Sequence, residues 1–327
     1  MMEATRTAHT PKTVADVAAS LVPGGEEALP IPTGFEPLDT ALEGGFRPRE
    51  LVIVGGAPGI GKTVATLQWA RNAAASGRAA VYACYEHDEA TLLGRLLMQE
   101  VGNLGGSARS AHETRSTVRA VTRGEVRLED VADDALLRAA YEGLDDYAHR
   151  LWLVRASGVD TRLSTLAEMA EDFGRGSILF VDYLQKIPTT IPTANEAERA
   201  AHLAAGLKEL AMEREIAVVA VAAGDESALS ARRLRFEHLK GSAGLAYEAD
   251  IVLMLNEKAL AVSKAHSAYD SVRAASFKDQ IVLSIDKNRG GPAPIDMEHG
   301  KDLSHYRFSP QGAIVEDRLV DELFYQE

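Results

Sequence analysis

Leu51-Val52-Ile53-Val54-Gly55-Gly56-Ala57-Pro58-Gly59-Ile60-Gly61-Lys62-Thr63 is the stretch on which the reading of this chain turns. Leu51 to Gly55 is an apolar run of strand length, the glycines interrupt it, and Thr63 to Ala75 reads as a helix. Gly56 to Thr63 spells G-x-x-x-x-G-K-[ST] between that strand and that helix, the context in which the pattern carries meaning. Glycines let the backbone fold tightly, so that its N–H groups converge on phosphate oxygens. The helix that follows offers the positive end of its dipole. Lys62 is suited to neutralise the β- and γ-phosphates, and the Thr63 hydroxyl to ligate Mg²⁺. Gly56, Ala57, Pro58, Gly59, Ile60, Gly61, Lys62 and Thr63 are therefore the expected ATP-binding residues.

Working outward, strand-like and helix-like stretches alternate. Ala79 to Tyr85 reads as a strand and Ala90 to Val101 as a helix. A Gly- and Ser-rich loop follows at Gly102 to Ser110, then a helical pattern at Leu128 to Ala148. Leu151 to Val154, Ser177 to Asp182, Ile216 to Ala222, Ile251 to Leu255 and Ile281 to Ile285 read as further strands, with helices at Leu163 to Phe173 and Asn195 to Arg214. Such alternation predicts an α/β fold, with a mostly parallel central sheet and helices on both faces. Ser177 to Asp182 is a buried-type strand ending in a carboxylate. In open α/β sheets, strand C-terminal ends border the ligand crevice, so Asp182 is the expected second Mg²⁺ ligand. The residue after Asp182 is Tyr183 rather than Glu, so a base for the attacking water must come from elsewhere. Glu86, just past the Ala79 to Tyr85 strand, is the candidate.

Several segments together resemble the C-terminal motor domain of the DnaB family of bacterial replicative helicases. Thr33-Gly34-Phe35-Glu36-Pro37-Leu38-Asp39 with Gly44-Gly45 resembles that domain's opening. Tyr85-Glu86-His87-Asp88, Val181-Asp182-Tyr183-Leu184-Gln185 and Leu207-Lys208-Glu209-Leu210-Ala211 resemble its central motifs, and Tyr247-Glu248-Ala249-Asp250 and Lys287-Asn288-Arg289-Gly290 its closing ones. The resemblance covers about residues 33–309. It implies a RecA-like P-loop NTPase domain at 33–309, preceded by an N-terminal arm (1–32) and followed by a C-terminal tail (310–327). It also implies a homo-oligomeric ring, usually a hexamer, with ATP between subunits. Lys287 and Arg289 would then reach the neighbouring subunit's γ-phosphate, and Thr13 to Val22 would form a linker helix that docks on that neighbour. Loops lining the ring would bind single-stranded DNA. Pro188 to Ala194 and Gly224 to Gly241 fit by position, the latter through Arg232, Arg233, Arg235 and Lys240. That basic run reads equally well as a solvated loop paired with the acidic surface.

The chain also departs from the family. Ala223 stands where the family usually has a Gln that senses the γ-phosphate, and an alanine methyl cannot hydrogen-bond. The residues before Thr33 are too few for the family's helical N-terminal domain, and Glu257 to Lys278 reads as an insertion. The formal net charge of -13 over 327 residues argues against a surface that coats nucleic acid, though not against local basic loops. One cysteine, Cys84, and the lack of an export signal or membrane-length apolar run point to a cytoplasmic protein without membrane contact. Two main functional readings result, beside a third, a nucleotide-binding scaffold with slow turnover, which needs Glu86 to be misplaced. The first is a DnaB-like ring ATPase, hydrolysing ATP with Mg²⁺ to translocate on or unwind single-stranded DNA. The second is a ring ATPase of the same fold that acts on a protein partner, as the circadian-clock ATPase KaiC does.

Overall fold

The structure is a computed structural model that describes residues 13–20, 29–105, 108–127, 134–262 and 271–320. Its first half contains α1 (Val14–Ser20), α2 (Leu38–Ala41), β1 (Leu51–Gly56), α3 (Lys62–Ala75), β2 (Ala80–Cys84), α4 (Glu89–Asn103), α5 (Ala108–Thr122), α6 (Ala135–Ala148) and β3 (Leu151–Arg155). There follow α7 (Leu163–Phe173), β4 (Ile178–Asp182), α8 (Glu196–Arg214), β5 (Ala217–Val221), α9 (Ser242–Glu248), β6 (Ile251–Glu257), α10 (Lys258–Ala261), β7 (Gln280–Asn288), β8 (Ile295–Asp302) and β9 (Arg307–Ile314). Among the described residues the strands form a nine-stranded sheet in the order β3-β2-β4-β5-β1-β6-β7-β8-β9. The strands from β3 to β6 in that order run parallel. From β6 onward the pairing is antiparallel.

β1 shows why the fold forms. Successive side chains of a strand point to opposite faces. Val52 and Val54 enter the core shared with α3, α4 and α6, while Leu51 and Ile53 enter the one shared with α7 and α8. Every β1 residue is buried, which is what a central strand covered on both sides requires. Asn195 caps α8 by accepting from the Glu198 N–H at 2.9 Å, and Asp88 caps α4 by accepting from the Thr91 N–H at 2.8 Å.

Three sequence expectations change. The segment from Gly102 to Ser110 is not one loop, because α4 runs to Asn103 and α5 begins at Ala108. α5 has few apolar residues, but Val118 is buried, and Gly94 of α4 lets the helices approach; a Cβ there would lie 3.2 Å from Thr122 Cγ2. Secondly, β8 and β9 extend the sheet beyond the expected last strand. Residues 310–314, expected in a tail, are the end of β9 and pair with β8. Thirdly, Lys258, inside the expected insertion, is only 1% exposed. Its ammonium meets Glu298, lies 2.8 Å from Asp317 and sits 4.5 Å from the Phe277 ring centroid. That segment is anchored on β8 at its start, and residues 263–270 lie outside the described residues.

Of the Thr13 to Val22 helix, Val14–Ser20 is helical, with Val14 and Val17 exposed; Leu21 and Val22 lie outside the described residues. Among the described residues no helix is long and apolar enough to cross a membrane.

Candidate active site

The Gly56 to Thr63 loop leaves the C-terminal end of β1 and runs into α3. Gly61 sits at the N-cap of α3 with φ 104°, a conformation that L side chains rarely adopt. A Cβ there would also lie 2.7 Å from Phe308 Cζ, so only glycine fits. Lys62 Nζ donates to the carbonyls of Gly56 at 2.8 Å and Ala57 at 3.0 Å, which folds the side chain back over the loop. Burial pulls the Lys62 ammonium below the usual lysine range, while Asp182 and Glu86 act to raise it.

Asp182 is buried at the end of β4, which pairs with β2 up to Cys84. The Tyr85 N–H donates to the Asp182 carbonyl at 2.7 Å, which carries Glu86 to the same rim. The Tyr82 hydroxyl donates to Asp182 Oδ2 at 3.0 Å and lies 2.8 Å from Thr66 Oγ1. Burial holds the Tyr82 hydroxyl protonated, so it serves as a donor that orients the carboxylate. Sequence reasoning missed Tyr82 and Thr66, because both lie inside regular elements where a polar group looks incidental.

Lys62, Thr63, Glu86 and Asp182 all line one cleft of about 510 Å³, with Arg95, Ala223 and Tyr306 on its walls. The residues present suit a nucleotide triphosphate with its metal: a glycine cradle, one amine, one hydroxyl and a carboxylate at a strand end. Ala223 borders this cleft as expected, and its N–H donates to Gln185 Oε1 at 3.1 Å. Gln185 therefore ties the end of β4 to the end of β5, and its Nε2 is buried without a partner. Nothing in the sequence marked Gln185 for this contact beyond its place in Asp-Tyr-Leu-Gln.

Lys287 and Arg289 lie elsewhere. The Arg289 N–H donates to the Asp250 carbonyl at 2.9 Å, and the Asp250 N–H to the Leu51 carbonyl at 2.8 Å. Both therefore sit by the N-terminal end of β1, roughly 17 Å from the loop at its other end, at the usual rise of a strand. The Lys287 ammonium donates to the carbonyls of Ala246 and, at 2.6 Å, Ala249; the Arg289 guanidinium donates to the Tyr247 carbonyl. These cations cap the C-terminal end of α9. Asp250, to which the sequence assigned no role of its own, accepts from Lys208 Nζ at 2.7 Å, the Leu51 N–H at 2.8 Å and Arg289 at 3.4 Å.

The basic run on the Gly224 to Gly241 loop is not a free grip. Arg233, only 3% exposed, pairs with Asp296. Arg235 pairs with buried Asp286 at 2.7 Å, and Arg232 donates to the Val262 carbonyl at 3.0 Å. Lys240 meets Glu196 at 3.0 Å, with both side chains largely solvated. Leu234 is held by Asn256 through both backbone groups. The loop folds onto the sheet because acids on β7 and β8 draw its arginines in, a pairing that local sequence does not reveal.

A family model described as the DnaB-like helicase C terminal domain matches residues 30–307. The replicative DNA helicase DnaB of Treponema pallidum (strain Nichols) is 28% identical over 228 residues, which is 69% of this chain and 48% of that protein. The DnaB of Geobacillus stearothermophilus is 27% identical over 271 residues, 81% of this chain and 53% of that protein. The chain thus spans about half the length of these curated relatives. In fold it is similar to a solved DnaB-like replicative helicase, with a TM-score of 0.68 at 17% identity over 86% of this chain and 62% of that one. A solved ATPase domain is similar to the same degree, with a TM-score of 0.67 at 18% identity over 90% of this chain and 94% of that one.

Proposed function

The chain belongs to the family of DnaB-like helicase C-terminal domains, and from that premise we propose that it hydrolyses ATP within a homo-oligomeric ring, usually a hexamer, that works on single-stranded DNA. The observation that carries this reading is the separation of Lys287 and Arg289 from the loop of their own chain. Roughly 17 Å of β1 lies between them. Two cations fixed at the wrong end of the sheet for their own nucleotide are suited to a neighbour's.

In the proposed reaction the loop N–H groups and Lys62 bind the β- and γ-phosphates. Thr63 and Asp182 would hold Mg²⁺, which supplies charge neutralisation for the phosphates. Tyr82 fixes Asp182 in orientation through its hydrogen bond. Glu86 orients the water and takes its proton. Arg289 of one subunit stabilises the charge that develops on the γ-phosphoryl group held by the next, with Lys287 beside it. Asp250 presets the Arg289 guanidinium, limiting the ordering cost when subunits meet. A cytoplasmic setting fits the single buried thiol of Cys84.

Mixing subunits tests this. Lys62→Ala and Arg289→Ala chains are each expected to be inactive alone. Combined in equal amounts, they are expected to regain part of the turnover, because some interfaces then join an intact loop to an intact arginine. No recovery, with ring assembly intact, would remove the trans assignment. DNA coupling is tested by the ATPase rate with and without oligo-dT at low and moderate salt, where salt-sensitive stimulation is expected.

A further inference from the structure

A second concavity, of about 340 Å³, opens between α4 and α5. Arg95, Arg115, Arg119 and Arg123 line it, and Arg95 and Tyr306 also border the nucleotide cleft, so the two clefts share a wall. Arg115 and Arg119 share one face of α5, and Arg123 follows just past its end with its N–H bonded to the Arg119 carbonyl at 3.1 Å, so the three recur every fourth residue, roughly 6 Å apart. Like charges at that spacing destabilise a helix. Here they stand in a chain of net charge -13.

The neighbours do little to neutralise them. Arg115 Nη2 donates to the Ser304 carbonyl at 2.6 Å, its guanidinium lies 5.0 Å from the Tyr306 ring centroid, and its Nε is buried without an acceptor. Arg95 contacts His87 Nε2 at 2.9 Å and stands 5.4 Å from the same ring. Arg119 is exposed and has no acidic partner among the described residues. Arg123 has Glu125 at 3.8 Å, with both side chains mostly in water, a weak pair. The acid on the cleft wall is Asp88, and its carboxylate is occupied with the Thr91 N–H at 2.8 Å.

We propose that this cleft binds a small phosphorylated ligand carrying at least two phosphate groups. Guanidinium forks match phosphate oxygens in pairs, and three of them over about 12 Å suit a di- or triphosphate. The size is that of a small-molecule pocket rather than of a groove that a strand runs through. Occupancy reaches the nucleotide cleft through Arg95 and Tyr306.

The test is a calorimetric titration of inorganic tripolyphosphate into the full chain saturated with Mg·ADP. One further saturable event per chain is expected, weakened at least tenfold in the Arg119→Ser/Arg123→Ser double variant and unchanged in Arg232→Ser. Arg119→Lys keeps the charge and loses the fork, and is expected to weaken binding partly. The two substituted positions are exposed, and thermal melting checks that the variant folds. No heat beyond the ADP site, or equal binding by the double variant, would overturn the proposal. So would oligo-dT binding that depends on Arg119 and Arg123 while tripolyphosphate fails to bind, which would make the cleft a strand surface. Each outcome leaves ATP hydrolysis, read from subunit mixing, untouched.

Discussion

At the scale of single residues, the site separates groups by the strand ends that carry them. Lys62 and Thr63 follow β1, Glu86 follows β2 and Asp182 ends β4, so three strands deliver amine, hydroxyl and carboxylates to one rim. Substituting Glu86→Gln is expected to lower kcat by about a hundredfold or more, the usual contribution of a general base, with the Kd of a non-hydrolysable ATP analogue nearly unchanged. Unchanged hydrolysis would remove Glu86 as the base. Gln185→Leu leaves the Ala223 N–H without its acceptor. It is expected to cost about 1 kcal/mol in denaturant unfolding, the ordinary net contribution of a hydrogen bond, because this donor is only partly buried. These candidates differ in legibility. Glu86 announced itself by following an apolar strand, whereas Gln185 and Asp250 act through contacts with residues 38 and 39 positions away.

At the scale of elements, the Gly224 to Gly241 loop is the clearest case of a local signal redirected by tertiary partners. Its arginines are spaced as a phosphate grip, yet Asp286 and Asp296 take two of them. Asp296→Ala removes an acid that pairs with the buried Arg233 and is expected to destabilise the fold, read from the unfolding midpoint. Arg233→Met replaces the cation by a side chain that packs, and is expected to leave DNA stimulation of the ATPase intact; a loss would return Arg233 to the DNA surface. The β8–β9 pair carries a second consequence. His299 on β8 is buried against Phe35, and its Nδ1 lies 2.9 Å from the Ser309 carbonyl. Burial holds its pKa below the usual histidine value. The folded state therefore favours the neutral ring, and its contribution is complete above the unfolded value, about 6.5. As pH falls below that, the unfolded chain takes the proton first and stability drops until the folded pKa is passed, by up to about 1.4 kcal/mol per pH unit. Thermal melts between pH 7 and 5 are expected to show this slope, and His299→Gln to flatten it.

At the scale of the whole molecule, the sheet itself is the spacer on which the proposed shared site depends. A strand of β1's length holds the phosphate loop and Arg289 at opposite ends, so a lone chain brings one half of the proposed reaction centre to each of two interfaces. Specific activity is therefore expected to rise steeply with protein concentration and to level off once assembly, followed by sedimentation, is complete. A flat profile with monomers present would contradict the ring. α1 bears Val14 and Val17 in the open, and Val14 is 88% exposed. Removing residues 1–20 is expected to shift assembly to higher concentration without changing ATP binding by the single chain. If assembly is unaffected, α1 is not the docking element.

What the sequence alone determined was everything that depends on near neighbours in the chain. The Gly56 to Thr63 loop, the apolar strands with helical segments between them, and the carboxylate ending β4 all follow from periodicity and turn chemistry within a dozen residues. The tertiary structure alone decided what depends on distant partners. α5 is held as a helix by the close approach that Gly94 permits, not by an apolar stripe of its own. β8 and β9 are mixed in polarity, with Met297, His299 and Phe308 buried among half-exposed neighbours, so neither reads as an apolar strand. Arg233 and Arg235 of the 224–241 loop are claimed by acids some fifty and more residues further on. Long-range ion pairs and helix contacts leave no periodic trace in the chain, since either partner alone reads as an ordinary surface residue.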